Sequence, residues 1–431
     1  MKVKISDIFD FEKGTLQSSK CTVGEYDFIT ASSDWKKHNT YSHECEALII
    51  AVAASGSLGR THYVSGKFIA SDLCFILQPK AKFKEKINLK FYFEYFNFIK
   101  NDLIQKTATG SAKKAINKFN FAKYEIIFPD KKYQDKIVQR LSEFKNNFSR
   151  IEENLNYNAK LTTKLRQSIL QDAIQGKLVP QDPTDEPASE LLKKIKEKKE
   201  QLIKEGKIKK EKNIQLPVNK NSEIPNGWII CALGEIGNAI DSPIVDGPFG
   251  SSINTNTDYI SNGVPVIRMM NIKPLNYIGN NLKFVSENKF NGLKRHNVIP
   301  NDILFSKVGA GIGECCIYPA TEKEGMLSTT GVIRFRVGEM VISKYLCYFL
   351  LAKKDYFLEI ASQTAQPFLN MSMIKNTEFL LPPKEEQKRI VARLDELMQL
   401  CDKLENENNN AQKYSSELLQ SIMQKYFSPE V

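Results

Sequence analysis

No stretch of this sequence is apolar for long enough to cross a membrane. Its apolar runs, such as Leu48 to Ala54, fall far short of the ~18 residues a spanning helix needs. The opening Met1-Lys2-Val3-Lys4-Ile5-Ser6-Asp7 lacks the apolar core of a signal peptide. Both absences point to a cytoplasmic chain with no membrane partner. Histidine is scarce, at four residues, and no Ser/His/Asp or Cys/His grouping stands out. The eight cysteines form no Cys-x2-Cys pair, whereas structural zinc needs four ligands at short paired spacings. His38, His43 and Cys45 are close in sequence but have no fourth partner, so no metal site is expected.

Phosphate-gripping loops are missing too. No Gly-x4-Gly-Lys-[Ser/Thr] occurs, so no ATP site is visible. Gly309-Ala310-Gly311-Ile312-Gly313-Glu314 resembles a dinucleotide loop, but Cys315-Cys316-Ile317-Tyr318-Pro319 follows where a helix should begin. It reads as a tight strand–turn–strand. Leu381-Pro382-Pro383-Lys384 stands where an adenine methyltransferase has Asn/Asp-Pro-Pro-aromatic. Leu and Lys can neither bind the target amine nor stack on a flipped base. Pro129-Asp130 with Glu143-Phe144-Lys145 has the letters of a nuclease metal site, but Glu143 and Lys145 fall on a predicted helix. No catalytic residue is assigned.

What is present is basic charge, an internal repeat and two long helices. The 431 residues suit two or three domains, and a hydrophobic content of 42% suits a folded chain. The net charge is +11: +5 over 1–130, +8 over 131–220, zero over 221–382 and −2 over 383–431. Much of the excess lies in Lys193 to Lys212, a solvated helical stretch. Charge alone therefore permits nucleic-acid binding without establishing it.

The repeat is the stronger signal. Gln167-Ser168-Ile169-Leu170-Gln171 returns as Gln420-Ser421-Ile422-Met423-Gln424, an offset of 253. At that offset Pro129 falls on Pro382, Gln134 on Gln387, Leu141 on Leu394 and Asn117 on Asn370. At an offset of 254, Ile49-Ile50 meets Ile303-Leu304 and Leu58-Gly59 meets Ile312-Gly313. Each copy opens with strand-like runs (Ala47–Ala54, Lys67–Leu77, Val264–Met270, Asp302–Val308, Gly331–Val337) and shorter helical stretches such as Leu89–Lys106 and Val341–Ala361.

Each copy closes with a long helix. In the first, Leu141, Phe144, Phe148, Ile151, Leu155, Asn158, Thr162, Leu165 and Ile169 alternate at spacings of three and four. Adding 253 gives Leu394, Leu397, Cys401, Leu404, Asn408, Ala411, Ser415, Leu418 and Ile422. That is a coiled-coil seam, and the two helices are expected to pair antiparallel. The fold class is α+β: two tandem-duplicated α/β domains joined by two long helices that form an antiparallel coiled coil. The domain limits are 1–130, 131–179 (helix), 180–224 (Lys/Glu-rich connector), 225–382 and 383–431 (helix).

At this point the residues resemble a family. Ile224-Pro225-Asn226-Gly227-Trp228, Leu233-Gly234-Glu235-Ile236, Asp246-Gly247-Pro248-Phe249-Gly250-Ser251 and Gly263-Val264-Pro265-Val266-Ile267-Arg268 are similar to the recognition domain of type I restriction–modification specificity subunits. So are Asp302-Ile303-Leu304-Phe305-Ser306 with its glycine turn, and Gln366-Pro367-Phe368-Leu369-Asn370 leading into the helix. The first half lacks the Pro-x-Gly-Trp opening and the Pro-Phe-Gly segment.

The resemblance implies a non-enzymatic subunit that reads a two-part double-stranded DNA site, one half per globule, with the helices fixing the spacer. It implies two methyltransferase subunits docked on the helices and a restriction subunit as a further partner. S-adenosylmethionine, ATP and Mg would sit on those partners, and no cofactor on this chain. DNA contacts are expected from Arg60, Lys106, Ser111, Lys113 and Lys114 in the first domain, and from Ser251, Ser252, Arg268, Asn271, Lys307, Gln363 and Gln366 in the second. The competing readings are a specificity subunit of a related restriction class, a fused DNA-modifying enzyme, and a coiled-coil adaptor.

Overall fold

The computed structural model describes residues 1–53, 56–110, 113–208, 224–237, 242–329, 331–362 and 366–428. It divides into two compact units, one made of Met1–Asn158 with Glu407–Val431 and the other of Ala159–Asn406. The expected domain limits follow the chain, whereas the compact units do not. Each long helix, Lys131–Ile174 and Lys384–Phe427, gives one of its parts to one unit and the rest to the other.

The first unit is built on a six-stranded sheet, ordered Phe9–Lys13, Cys74–Pro79, His43–Ala51, Thr61–Ala70, Tyr26–Ile29, Lys36–His38. Its neighbours are antiparallel except for the parallel pair of Tyr26–Ile29 with Thr61–Ala70. The central strand explains the apolar run. Leu48 and Ile50 enter a core shared with the helix Leu89–Phe98 and the long-helix residues Ile137 and Leu141. Ala47, Ile49 and Ala51 enter a second core on the other face. A strand covered on both sides loses the polar half of its alternation. The expected run Lys67–Leu77 proves to be two strands around a turn at Ser71–Leu73, where Cys74 N–H donates to the Ser71 carbonyl.

The second unit carries two four-stranded sheets. One is ordered Ile244–Asp246, Val332–Phe335, Ile303–Ser306, Cys315–Ile317; the other is Lys283–Val285, Val264–Ile267, Gly325–Leu327, Asn297–Val298. The first repeats the antiparallel order of the strands beginning at Phe9, Cys74, His43 and Thr61. Pairing Ile49-Ile50 with Ile303-Leu304 is one residue out of step. Ile303 and Phe305 face the long helix, as Leu48 and Ile50 do, and Ile49 faces away. The turns give the reason. Gly59 N–H donates to the Ala51 carbonyl and Gly313 N–H to that of Ser306, so the second turn is one residue shorter. A slip of one reverses every side chain on a strand.

Both copies weld helix to globule in the same way. Gln134 is fully buried; its amide donates to the carbonyls of Lys86 and Pro129, each at 2.9 Å, and accepts from Asn88 N–H at 2.7 Å. Gln387 is fully buried too, donating to the Pro382 and Met340 carbonyls at 3.0 and 3.4 Å and accepting from Ile342 N–H at 2.9 Å. Tyr92 and Tyr345, also 253 apart, donate to the carbonyls of Ile127 and Leu380. Asn117 and Asn370 each cap a short helix.

The helices pair antiparallel. In the first unit Gln412 donates to Asn156 Oδ1 and the Tyr133 hydroxyl to the Tyr426 carbonyl. In the second, Arg166 reaches Asp402 and Glu405. Along the seam, Leu141, Ile169 and Leu394 are buried, and Phe144, Phe148, Leu155, Leu397 and Ile422 partly so. Ile151, Leu165, Leu404 and Leu418 depart from the expectation, being 48%, 46%, 49% and 53% exposed. A straight helix of 3.6 residues per turn drifts ~20° per heptad against a 3.5 repeat, and the covered row passes to Arg166 and Leu419.

The connector is more than a return path. In its helix Ala188–Lys204, Ala188, Leu192 and Ile195 join Ile169, Leu170, Ala173 and Ile174 in the second unit's core. Trp228 closes this corner. Its indole N–H donates to Glu386 at 2.9 Å, and a Cβ on Gly176 would lie 2.5 Å from Pro225 and 3.2 Å from Trp228. Glycine is required there both by that approach and by its φ of +70°.

Candidate nucleic-acid interface

In the second unit, loops gather where the strands Ile244–Asp246 and Ile303–Ser306 end and Val332–Phe335 begins. Lys307, just past its strand, is 7% exposed, and its ammonium meets Asp246 at 3.0 Å. Its N–H donates to the Gly331 carbonyl, and its own carbonyl accepts from Leu369 N–H. His296 Nδ1 lies 2.6 Å from the Asp246 carbonyl. Lys307 thus organises four loops, with its charge already compensated by Asp246.

Asn271 departs furthest from its expected role. It is fully buried, its amide donates to the carbonyls of Ile278 and Asn280, and its oxygen accepts from Arg268 N–H. It shapes the turn Met269–Asn271. Arg268 is partly buried, its guanidinium bonded to the Asn281 carbonyl. Ser251 is exposed and Ser252 half-buried on the turn Gly250–Ser252. Gln366 is exposed, with its amide nitrogen beside Gly309. Gln363 lies outside the described residues.

In the first unit, Arg60 occupies the turn between His43–Ala51 and Thr61–Ala70, half-buried, with its guanidinium on Ser57 Oγ at 3.3 Å. Lys113 and Lys114 are exposed on the hairpin of Ala108–Thr109 and Ala115–Ile116. Ile116 N–H donates to the Val52 carbonyl, which brings that hairpin to the same end of the sheet as Arg60. Ser111 lies outside the described residues. Lys106 stands elsewhere: it pairs with Asp102 at 2.9 Å and lines a groove with Lys2, Tyr124, Phe427 and Ser428. A hydrogen bond from Tyr124, and then Lys106, holds the Asp102 carboxyl below its ordinary range.

Residue-type reasoning missed two aromatic groups at these ends. Trp35 is 39% exposed, and its indole N–H donates to His62 Nδ1 at 3.3 Å. Burial, reinforced by Arg60, lowers the pKa of His62, which favours the neutral imidazole that accepts this bond. Phe249 is 77% exposed at the tip of the Gly-Pro-Phe-Gly turn. The available signal was position: one of only two tryptophans, and a phenylalanine between glycine and proline punctuation.

The nuclease-like letters have structural roles. Asp130 accepts from Tyr133 N–H at the start of the long helix, and Lys145 pairs with Glu94 at 2.7 Å. Gly309–Gly311 is the tight turn that the sequence suggested, between antiparallel strands. Among the described residues no group of three or more His, Cys, Asp or Glu could hold a metal ion, and no helix is long and apolar enough to cross a membrane.

Comparison with known proteins adds the following. A sequence profile described as "Type I restriction modification DNA specificity domain" matches residues 1–161 and 225–412. The chain is 28% identical over 384 residues to the type I restriction enzyme EcoAI specificity subunit of Escherichia coli, covering 76% of this chain and 62% of that one. It is 32% identical over 271 residues to the Escherichia coli EcoEI specificity subunit, covering 60% of this chain and 44% of that one. The matches therefore span less than two thirds of those relatives. Two solved structures share the fold along the whole chain. One is from work on the assembly and conformational transition of the type I R-M system (TM-score 0.64, 16% identity, 98% of that chain). The other is the HsdS subunit of Thermoanaerobacter tengcongensis (TM-score 0.54, 17% identity, 97% of that chain).

Proposed function

The chain belongs to the type I restriction–modification DNA specificity family, and on that premise we propose that it reads a two-part DNA sequence and performs no chemistry itself. The carrying observation is that the family match falls on both copies of the duplication, 1–161 and 225–412. One chain then holds two readers. In this reading 1–130 and 225–382 contact DNA, 131–179 and 383–431 set the spacer, and 180–224 returns the chain for its second pass. Arg60, Lys113, Lys114, Ser251, Ser252, Arg268 and Gln366 are the proposed contacts. Lys307 and Asn271 hold loops in place for them, and Lys106 serves outside the reading end.

The partners follow from the helices. In the first unit Ile151, Tyr414 and Leu418 are exposed apolar side chains; in the second, Leu404, Leu161 and Leu165 are. The 253-residue offset maps one trio onto the other. Two equivalent apolar patches support two copies of one partner, in this reading the methyltransferase subunit, with a restriction subunit as a further member. S-adenosylmethionine, ATP and Mg belong to those partners.

The test is binding of the reconstituted specificity–methyltransferase complex to duplexes carrying its target. Scrambling either half-site should weaken binding by ~10³-fold or more, the usual margin between specific and non-specific sites. Equal binding to all duplexes would refute the reading. A micromolar S-adenosylmethionine or ATP site on the chain alone would favour a fused enzyme instead.

A further inference from the structure

The second unit spends structure on keeping apolar side chains in water. Phe249 has the highest exposure of any aromatic side chain among the described residues, at 77%, and its turn is rigid. Gly247 is buried, and a Cβ there would lie 2.0 Å from the Thr329 carbonyl oxygen. Pro248 is buried beneath the tip, and Ser252 N–H donates to the Phe249 carbonyl at 2.7 Å. Gly247 N–H is tied to the Val332 carbonyl, and Asp246, the preceding residue, is held by Lys307. These contacts fix the backbone that carries the ring, so the exposed position of Phe249 is set by the turn itself.

A second turn does the same nearby. Met269 and Met270 are 39% and 52% exposed on the turn Met269–Asn271, which the buried Asn271 anchors through three hydrogen bonds. The Met269 sulfur lies 3.0 Å from where a Gly331 Cβ would stand, and Gly247 rests on Thr329. The two turns therefore flank the entry of the strand Val332–Phe335. Around them stand Ser251, Arg268 and Gln366, polar and basic. The Asp246 carboxylate there is already neutralised by Lys307, which leaves a surface suited to a polyanion with an apolar interior.

Stacked base pairs are such an interior. We propose that Phe249 is a wedge: it inserts between two stacked base pairs of the second half-site, with Met269 and Met270 against the displaced step. This rests on the reading of the second unit as a DNA reader, and adds that part of its specificity is the ease with which one base step opens. Apolar wedges of Phe and Met are effective because a rigid ring replaces the stacking it disrupts, and flexible steps open at least cost. Holding the ring out in advance avoids an ordering cost on binding.

The experiment uses the complex of the full chain with its methyltransferase subunits, and duplexes carrying the cognate target with 2-aminopurine at successive positions of the second half-site. With the wild-type chain one step should brighten on binding. Phe249→Ala should abolish that signal and weaken binding about 10- to 100-fold, the range for a lost base-stacking ring. Phe249→Leu, still an apolar wedge, should keep most of both. Unchanged affinity and fluorescence in Phe249→Ala would overturn the wedge while leaving the second unit a DNA reader. Weaker binding with the brightened step retained would make the ring a groove contact, which also overturns it. Loss of methyltransferase binding by Phe249→Ala would place the ring in a protein interface instead. Absence of sequence-specific binding by the wild-type complex would refute the underlying reading, a different failure from any of these.

Discussion

The two units agree where they are inside and differ where they meet solvent. Gln134 and Gln387 are buried in the same way on three backbone groups each, and Tyr92 and Tyr345 close the same strand-to-helix corner. At the loop ends the resemblance stops. The first unit presents Trp35 on a neutral His62 beside Arg60, with two lysines on a hairpin. The second presents Phe249 and two methionines over a closed Lys307–Asp246 pair. A buried hydrogen-bonded amide cannot change without leaving several groups unsatisfied, whereas a loop tip can. The proposed pair of readers, with one scaffold and two targets, would require this pattern.

The most disruptive way to test the shared scaffold is to lengthen it. Four residues, about one helical turn, inserted after Asn158 and after Ala411 should add ~6 Å to each helix. Both half-site sequences should persist in the methylated motif, with one or two more base pairs between them. An active variant with the original spacer would show that the helices do not set it.

Next in size is the buried amide. Gln134→Leu and Gln387→Leu each remove a fully buried amide that satisfies three backbone groups and should each cost ~3 kcal/mol in denaturant unfolding. Similar losses in the two copies would support one scaffold used twice; a large loss in one alone would break the comparison. Smaller effects separate covered from uncovered seam positions. Leu394→Ala should cost ~2–4 kcal/mol, and Leu165→Ala, 46% exposed, under ~1 kcal/mol. Leu165→Ala should weaken methyltransferase binding instead, read by calorimetry.

The smallest effect concerns the corner found in the second unit. Burial raises the Glu386 carboxyl above its ordinary range, against the opposing pull of Trp228 and then Arg389. A carboxyl that holds its proton more tightly when folded loses stability as pH rises from its unfolded to its folded value. Glu386→Gln keeps an acceptor for the Trp228 indole without the charge. Its melting temperature should rise slightly relative to the wild type as pH climbs through that window, then run parallel above it. A variant that loses ground as pH rises would show that the ionised carboxylate is stabilising.

The duplication made much of this legible in sequence. The offset of 253 already marked Gln134 with Gln387 and Asn117 with Asn370, because buried amides and caps tolerate few substitutes. It also contained Tyr92-x2-Tyr95-Phe96 against Tyr345-x2-Tyr348-Phe349, a match that residue-by-residue reading passed over. The reading ends were harder. A polar side chain on a loop looks the same in sequence whether it meets solvent, as Ser251 does, or is consumed by backbone carbonyls, as Asn271 is. Lys307 is expected among the DNA contacts from its residue type, and sequence gives no sign of Asp246, sixty-one residues away, whose carboxylate lies beside it. Conversely, the motif Asp246–Ser251 contains Phe249 but carries no sign that its ring stands in solvent, since apolar residues are more often buried. The seam failed at Leu165 and Leu404 because a seven-residue pattern fixes spacing and leaves the accumulated rotation of a straight helix unspecified.

The central claim is that each unit reads one half of a split target. It is tested most directly by mapping N6-methyladenine genome-wide in three strains: with this chain, without it, and with Arg60, Lys113 and Lys114 all replaced by alanine. The first strain should show a single gapped motif, and the second should lose it. In the third, methylation should fall or relax in the first half-site alone, with the second half-site intact. A motif that survives deletion of the chain, or a variant that alters both half-sites together, would contradict the claim.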